Sequence, residues 1–281
     1  MNEIWSSLGE GGVRLAVFVS VFVLLAFLEL ARPRRVLSAS KRQRWVTNWA
    51  IVIIDSALVR AMAHLVVPIA AVAAAVAAQQ SGFGLLNLVA LPVGLEILLA
   101  VVVLDLAIWA QHVASHKVPV LWRLHQMHHA DRDIDLSTAI RFHPVEIALS
   151  MVWKILCVVA LGASPFAVVL FEIILNAGAM FSHANIRLPL WLDRALRAVI
   201  VTPDMHRVHH SIERHEHDSN YGFNLSVWDR LFGTYTDQPA KGHDAMTIGL
   251  KAYQSDGPSQ LGWSLALPWR GKGHDSGAQK P

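Results

Sequence analysis

Apolar residues are concentrated in four long segments in the first two thirds of the chain, and polar stretches separate these segments. An α-helix rises about 1.5 Å per residue, so about 20 apolar residues are enough to cross the hydrocarbon core of a membrane. The lengths therefore predict an all-α protein that spans the membrane several times. The predicted spans are residues 13–30, 46–78, 93–111 and 144–182.

Two of these segments are too long for a single upright span. Residues 46–78 are rich in Ala and Val, and they predict either one tilted helix or an interfacial piece followed by a span. Residues 144–182 are divided by Gly162-Ala163-Ser164-Pro165, in which Gly and Pro signal a turn. They therefore predict a helical hairpin that returns the chain to the side from which it came.

The charges of the connecting stretches predict the orientation of the chain. Residues 31–44 are rich in Arg and Lys, whereas residues 79–92 carry no charge. Basic residues in short loops mark the cytosolic side of a membrane. Counting crossings places residues 112–141 on the same side, so we expect a cytosolic helical cap. We expect a multi-pass protein that is located in a bacterial inner membrane or in the endoplasmic reticulum.

The composition agrees with a membrane protein and excludes some classes of function. Hydrophobic residues make up 54% of the 281, and the mean hydropathy is +0.40. The net charge of +3 does not indicate a nucleic-acid binder, because the basic residues flank apolar spans. Cys157 is the single cysteine, which excludes a disulfide framework and a thiolate metal site within one chain. We predict a membrane domain over residues 1–240 and a polar tail over 241–281, disordered from 271.

Histidines form an ordered set of motifs from the end of the third segment onwards. The first motif is HxxxH at 112–116, HxxHH follows at 125–129, and a second HxxHH lies at 206–210. On a helix, positions three or four apart share a face, while adjacent residues diverge by about 100°, so each HxxHH can serve two neighbouring ions. Nine imidazoles are too many for one metal and suit two. They are His112, His116, His125, His128, His129, His183, His206, His209 and His210.

The ligand type limits the metal, and two polar residues are candidates to support it. Neutral imidazole suits iron, zinc, copper or nickel, and no HExxH, GxSxG or P-loop motif is present. Asp105 continues the helical stripe of His112, so it is either an acceptor for a ligand N–H or a polar helix end. Asn176 lies two turns before His183, and it is either a water-holding group or a packing amide.

The complete set of motifs resembles the fatty acid hydroxylase superfamily, also called the sterol desaturase family. Its most specific parts are Phe181-Ser182-His183-Ala184-Asn185-Ile186, the second HxxHH, Ser219-Asn220-Tyr221-Gly222 and the run from Trp228 to Tyr235. The resemblance implies a membrane-embedded non-haem di-iron enzyme that uses O2 and two electrons to hydroxylate or desaturate a sterol or fatty acyl lipid. It implies two iron ions, with zinc as a substitute, held by the nine histidines.

The chain departs from the family pattern at one position. Some members carry another histidine four residues before the one that matches His183, and here that residue is Ala179. His143, before Pro144, is either a compensating ligand or a helix-start residue, and Asn220 is a further candidate for contact with the site. His215 and His217 lie among charged residues, so we predict that both belong to a solvated loop rather than to the site.

Electrons must come from outside the chain, because no flavin or haem motif is present. A basic surface that includes Arg207, Arg214 and Arg230 could dock an acidic ferredoxin, rubredoxin or cytochrome-b5-type donor. Two alternatives to an oxygenase are a zinc-dependent membrane hydrolase and a non-catalytic metal-holding membrane protein. The sequence does not distinguish hydroxylation from desaturation.

Overall fold

The computed structural model describes residues 2–65 and 71–270, with side chains described over 9–62 and 71–270. Within these ranges the chain is helical, and isolated bridges such as that between Pro33 and Ile186 take the place of strands. The helices are α1 Asn2–Ala31, α2 Lys41–Leu65, α3 Ala71–Ser81, α4 Val93–Lys117, α5 Pro119–His129, α6 Pro144–Leu161, α7 Pro165–His183, α8 Leu190–Leu196, α9 Pro203–His209, α10 Arg214–His217, α11 Val227–Leu231, α12 Gly242–Ala245 and α13 Leu261–Ala266.

Five of the described helices are long and apolar enough to cross a membrane, which confirms the predicted all-α, multi-span architecture. Buried residues of α3, α4, α6 and α7, including Leu104 and Phe171, form the main apolar core between them. The helix α4 continues through the first histidine motif to Lys117, beyond the predicted end at 111. The candidate spans are Gly9–Ala31, Lys41–Met62, Val93–Lys117, Pro144–Leu161 and Pro165–His183.

The segment 46–78 differs from its prediction. Its span-length part comes first, as Lys41–Met62 of α2, and the shorter α3 follows, so an interfacial piece does not precede the span. The connection at 66–70 lies outside the described residues. Small side chains explain the position of α3, because Ala71, Ala75 and Ala78 allow it to pack closely against α6 and α7.

Local sequence signals define the predicted hairpin. Proline is the first residue of both α6 and α7, where its missing N–H costs nothing. The Ser164 hydroxyl accepts from the Ala167 N–H and caps α7. Gly162 ends α6 with a φ of 70°, a left-handed conformation that glycine adopts without strain. Within the hairpin, the carboxylate of Glu172 pairs with Lys154 and with Arg14 of α1, so its charge is compensated.

The ends of five long helices meet at one face, where the short helices form a helical cap. Arg34, after α1, donates to Asp204 of α9, and Arg35 donates to the carbonyl oxygen of Met246. Arg44, at the start of α2, is 1% exposed and forms a two-pronged ion pair with Asp131. The basic stretch 31–44 is therefore part of the structure of the cap.

Residues 242–270, which belong to the predicted polar tail from 241, pack against the rest of the chain. Arg141 is fully buried, and its Nη2 donates to Ser264 Oγ at 2.8 Å and to Pro258 O at 2.9 Å. A buried guanidinium requires acceptors for its donors, and this segment supplies two of them. Leu267 is buried beside Met127 of α5. The expected disordered stretch 271–281 lies outside the described residues.

Candidate metal centre

Four helices deliver the nine predicted histidines to one place beneath the cap. The end of α4 supplies two, α5 supplies three, the end of α7 supplies His183, and α9 together with the residue that follows it supplies three. All nine side chains are buried, with exposures of 5% or less. The structure therefore brings together every histidine of the predicted set.

The histidines fall into two adjoining groups. Within each group, the candidate ligand nitrogens lie within 4.8 Å of one another, which is compatible with bonds of about 2.1 Å to a shared ion. Neighbouring residues of each HxxHH motif, such as His128 and His129, belong to different groups, as their divergence around the helix requires. The first group is His112, His116, His125, His129 and His209, and the second is His128, His183, His206 and His210.

Five imidazoles are oriented by hydrogen bonds from their Nδ1 atoms. In four of them the acceptor is a backbone carbonyl oxygen, as in His112 to Tyr221 O at 2.7 Å and His183 to Ala179 O at 2.7 Å. In the fifth, His125 Nδ1 donates to Glu146 Oε1 at 2.6 Å. Each acceptor fixes the tautomer, so the Nε2 lone pair points inward, as in metal-binding histidines generally. The other two hydrogen bonds to backbone carbonyl oxygens are donated by His128 Nδ1 to Arg141 O and by His209 Nδ1 to Ser219 O.

The Nε2 atoms that point inward lie close to each other, although neither atom of a pair carries a proton that could form a hydrogen bond between them. His112 and His209 both use Nδ1–H elsewhere, yet their Nε2 atoms lie 3.1 Å apart, and the same holds at 3.1 Å for His128 and His183. Two lone pairs at this distance repel unless a cation lies between them. Both nitrogens of His116 and His210 are buried without a hydrogen-bond partner. The residues present in each group thus fit a bound metal ion.

The protonation states agree with this assignment. Burial lowers the pKa of His128 and His209 well below the usual value, and neighbouring imidazoles lower it further. Burial, followed by neighbouring imidazoles, also lowers the pKa of His129, His206 and His210. These side chains therefore remain neutral at physiological pH, which is the form that binds metals.

His217 corrects the prediction that both histidines of α10 belong to a solvated loop. Its side chain is buried, and its ring centroid lies 4.5 Å from that of His129 and 4.9 Å from that of His116. Burial lowers the pKa of His217 to about 3. It forms a third group of candidate ligand atoms with His116 and Asp218. His215 is solvated as predicted, with a side chain that is 69% exposed.

Sequence spacing could not distinguish these two histidines, because both lie in the same charged run. The packing of α10 against α9 decides which side chain faces inward. The burial of Glu216 beside His217 confirms that one face of this short helix is covered despite its charges. Its Oε1 accepts from the Ala240 N–H, which compensates part of the cost of burial.

Of the two roles predicted for Asp105, the acceptor for a ligand N–H is not observed among the described residues. Its carboxylate accepts from Asn224 Nδ2 at 2.8 Å, from Trp228 Nε1 at 2.8 Å and from the Leu225 N–H at 3.2 Å. It fixes the loop after residue 219, and that loop supplies Tyr221 O to His112. Asp229 performs a similar task, since it accepts from the backbone N–H groups of Tyr221 and Gly222.

The other predicted supporting residues lie near the site in structural roles. Both ring nitrogens of His143 are engaged, one as the cap of α6 and one as a donor to Leu265 O. The Asn220 side chain donates to Met205 O and Thr236 O and accepts from the Thr236 N–H. Its φ of 52° places the neighbouring carbonyls toward His112 and His209. Neither side chain is directed at the histidine groups as a ligand.

Glu146 is a functional candidate that the sequence motifs do not indicate. It lies in the first turn of α6 and is the only side chain among those described that accepts a hydrogen bond from a histidine of the two groups through a carboxylate. A charged residue just inside an apolar segment was the available signal. The intramembrane position of such a residue favours a function.

A cavity of about 570 Å³ lies between α2, α4, α6 and α7 and reaches the first histidine group. His112 and His125 form part of its wall, together with apolar residues such as Ile108 and Phe142. Ala179, the position of the missing family histidine, also lines the cavity, so its small side chain enlarges the space beside the site. Asn176 lines the same wall, and its Nδ2 donates to Glu172 O within the helix.

The predicted basic docking surface is wrong at one residue. Arg207 is fully buried and pairs with Asp204 within α9, so it cannot contact a partner protein. Arg214 is exposed and pairs with Asp218, and Arg230 is exposed with its guanidinium over the ring of Tyr235.

Comparison with known proteins gives consistent relatives. Residues 97–234 match the family model for fatty acid hydroxylases. The chain is 29% identical to ornithine lipid hydroxylase OlsE of Rhizobium tropici over 149 residues, which cover 53% of this chain and 44% of that protein. It is 32% identical to human alkylglycerol monooxygenase over 137 residues, which cover 46% of this chain and 28% of that protein. It is 30% identical to fatty acid hydroxylase vlmA of Lecanicillium sp over 150 residues, which cover 49% of this chain and 40% of that protein.

The chain thus spans less than half the length of these curated relatives, and no solved structure matches it significantly. The matched segment contains all nine predicted histidines and His217. The matched segment contains the histidine motifs in the same order that suggested the resemblance to this family. Residues 97–234, about half of the chain, thus match the fatty acid hydroxylase family, the family that the motifs resemble.

Proposed function

We propose that the protein is a di-iron, O2-dependent lipid hydroxylase or desaturase of the membrane. One observation carries this proposal: two adjoining groups of buried histidines lie between membrane-length helices and the cap, and the first group lines a cavity between those helices. The names of the relatives, ornithine lipid hydroxylase and alkylglycerol monooxygenase, support a lipid as the substrate. When bound, two iron ions would supply the reduction of O2 that oxidises a C–H bond.

The ligands in this proposal are the nine predicted histidines and His217. The five-membered group would hold one ion and the four-membered group the other. Backbone carbonyls and Glu146 orient five of the rings, and burial keeps water from the nitrogens. His217 would add a ligand beside His116 and His129 of the first group.

The cavity determines how a lipid reaches the site. Its apolar wall, which includes Val52, Ile108 and Leu175, suits an alkyl chain that enters between the spans. The histidine groups lie where five helix ends meet the cap, so the reacting carbon would lie near the membrane surface. The positive loop charges favour the cytosolic side for this face, where an external donor protein would supply electrons.

The test uses one histidine from each group. We expect that His128→Ala and His209→Ala each lose bound iron, measured by elemental analysis of the purified full-length protein, and lose O2- and reductant-dependent lipid oxidation. His215→Ala is the control, because its side chain is exposed. Retained oxidation in either site variant would contradict the proposal, and so would oxidation independent of O2. Comparative lipidomics of cells with and without the gene would identify the substrate.

A further inference from the structure

The cavity contains two carboxyl groups, and one of them, Glu146, is hydrogen-bonded to a histidine of the first group. Asp55 lies on α2 and Glu146 on α6, and both side chains line the cavity. They are 5% and 8% exposed. An acidic side chain inside a membrane span is costly, and it is retained where it has a function.

Three acceptor atoms in this cavity are buried without a donor. They are Asp55 Oδ1, Glu146 Oε2 and Gln111 Oε1. The amide nitrogens nearby are already engaged, since Gln111 Nε2 donates to Ser150 and Asn176 Nδ2 donates to Glu172 O. A buried polar atom without a partner destabilises the protein. The cavity thus has an excess of acceptors over free amide donors.

The basic residue of the cavity does not compensate these acids. Arg60 lines the cavity on α2, but its side chain is exposed, and no carboxylate of the described residues lies within 4.0 Å of it. His125 Nδ1 is already engaged, because it donates to the other oxygen of Glu146 at 2.6 Å. A ligand that brings its own hydrogen-bond donor would therefore satisfy the site.

We propose that Asp55, Glu146 and Gln111 bind a hydrogen-bond-donating polar group of the lipid, a hydroxyl or a protonated amine. This inference rests on the proposed function, because it takes the cavity ligand to be the substrate. Since Glu146 contacts His125 directly, the bound polar group lies beside the metal centre. The oxidised carbon is consequently close to the polar end of the lipid, and the far end of the alkyl chain extends away between the helices.

Three amphiphiles with the same chain test this assignment: octadecanol, octadecylamine and methyl octadecyl ether, which lacks a donor. Their dissociation constants are measured by calorimetry with the full-length, metal-loaded protein in detergent without O2. We expect the alcohol or the amine to bind at least about tenfold more tightly than the ether, as for a hydrogen bond to a charged group. Preference for the amine over the alcohol would identify a cationic group, and the reverse a hydroxyl.

Variants at Asp55 assign the preference to this residue. Asp55→Leu should abolish the preference for the alcohol and the amine, and Asp55→Asn should reduce the preference for the amine while it keeps an acceptor for the alcohol. Asp256→Asn is the control, because that carboxylate is 78% exposed. Iron content and thermal stability confirm that each variant is folded, and Asp55→Asn, which keeps the shape of the side chain, decides the matter if the leucine variant is unstable.

Two results would overturn the assignment. One is equal binding of all three amphiphiles by the unmodified protein, within about twofold. The other is an unchanged preference in the folded Asp55 variants. Both results are independent of turnover, so they are distinguishable from failure of the proposed function. A protein that discriminates the amphiphiles but oxidises no lipid would retain this binding site and lose the oxygenase proposal.

Discussion

The Nε2 atoms of His112 and His209 lie 3.1 Å apart, although both residues use their only N–H in a hydrogen bond to a backbone carbonyl. His112 belongs to the membrane-length helix α4, and His209 belongs to α9 in the cap. Two neutral acceptors at this distance repel each other. A bound cation would therefore convert a repulsive contact into a connection between the membrane helices and the cap.

Removal of metal should lower the stability of the protein. A ligand that binds only the folded state stabilises it by about 2.7 kcal/mol at one hundred times its dissociation constant. We expect chelation to lower the thermal midpoint in detergent and anaerobic ferrous iron to restore it, as measured by scanning fluorimetry. His209→Ala is the comparison, and its midpoint should respond less. An unchanged midpoint in the chelated protein, with metal loss verified, would contradict the prediction.

Glu146→Gln should weaken metal binding. The carboxylate accepts from His125 Nδ1 and increases the basicity of the opposite nitrogen. Loss of such a partner typically costs about 10–100-fold in metal affinity. A competition titration with a metal-binding dye provides the measurement. Glu213→Gln, a change at a partly exposed carboxylate on the cap, should leave the affinity unchanged. Equal affinities for both variants would remove Glu146 from the site.

His217→Ala and His215→Ala form a matched pair on one short helix. The first side chain is buried beside His116 and His129, and the second is 69% exposed. We expect His217→Ala to lose at least about tenfold in metal affinity, as for other residues that support a metal site. His215→Ala should bind metal like the unmodified protein. If elemental analysis gives the same metal content for both variants at limiting metal, His217 is not a ligand.

Arg44→Met should destabilise the cap strongly. Arg44 is buried, with Nε 2.5 Å from Asp131 Oδ1 and Nη1 2.6 Å from Asp135 Oδ2. Removing one partner of a buried ion pair leaves uncompensated charge and costs about 3–5 kcal/mol. Arg42→Met, at an exposed position two residues earlier, should change the free energy of unfolding by less than about 0.5 kcal/mol. Denaturant unfolding in detergent tests the difference, and similar values for the two variants would be the contrary result.

The sequence by itself determined the membrane helices and the nine histidines. The length of an apolar segment shows directly whether a helix can cross the hydrocarbon core. The spacing of HxxxH and HxxHH shows which side chains share a helix face. The Gly-Pro signals defined the hairpin of α6 and α7 because they act within one turn of chain. These features depend on neighbouring residues only.

The tertiary structure decided which distant residues lie beside the two histidine groups. His217 and His215 carry the same local signal, and only the packing of α10 against α9 places one of them beside His129. Asp105 follows the stripe of His112, but both of its carboxylate oxygens accept hydrogen bonds from the loop at 224–228. Arg207 reads as a surface charge, yet it is buried with Asp204. Burial and hydrogen-bond competition depend on contacts between residues far apart in the chain, and therefore spacing alone could not determine them.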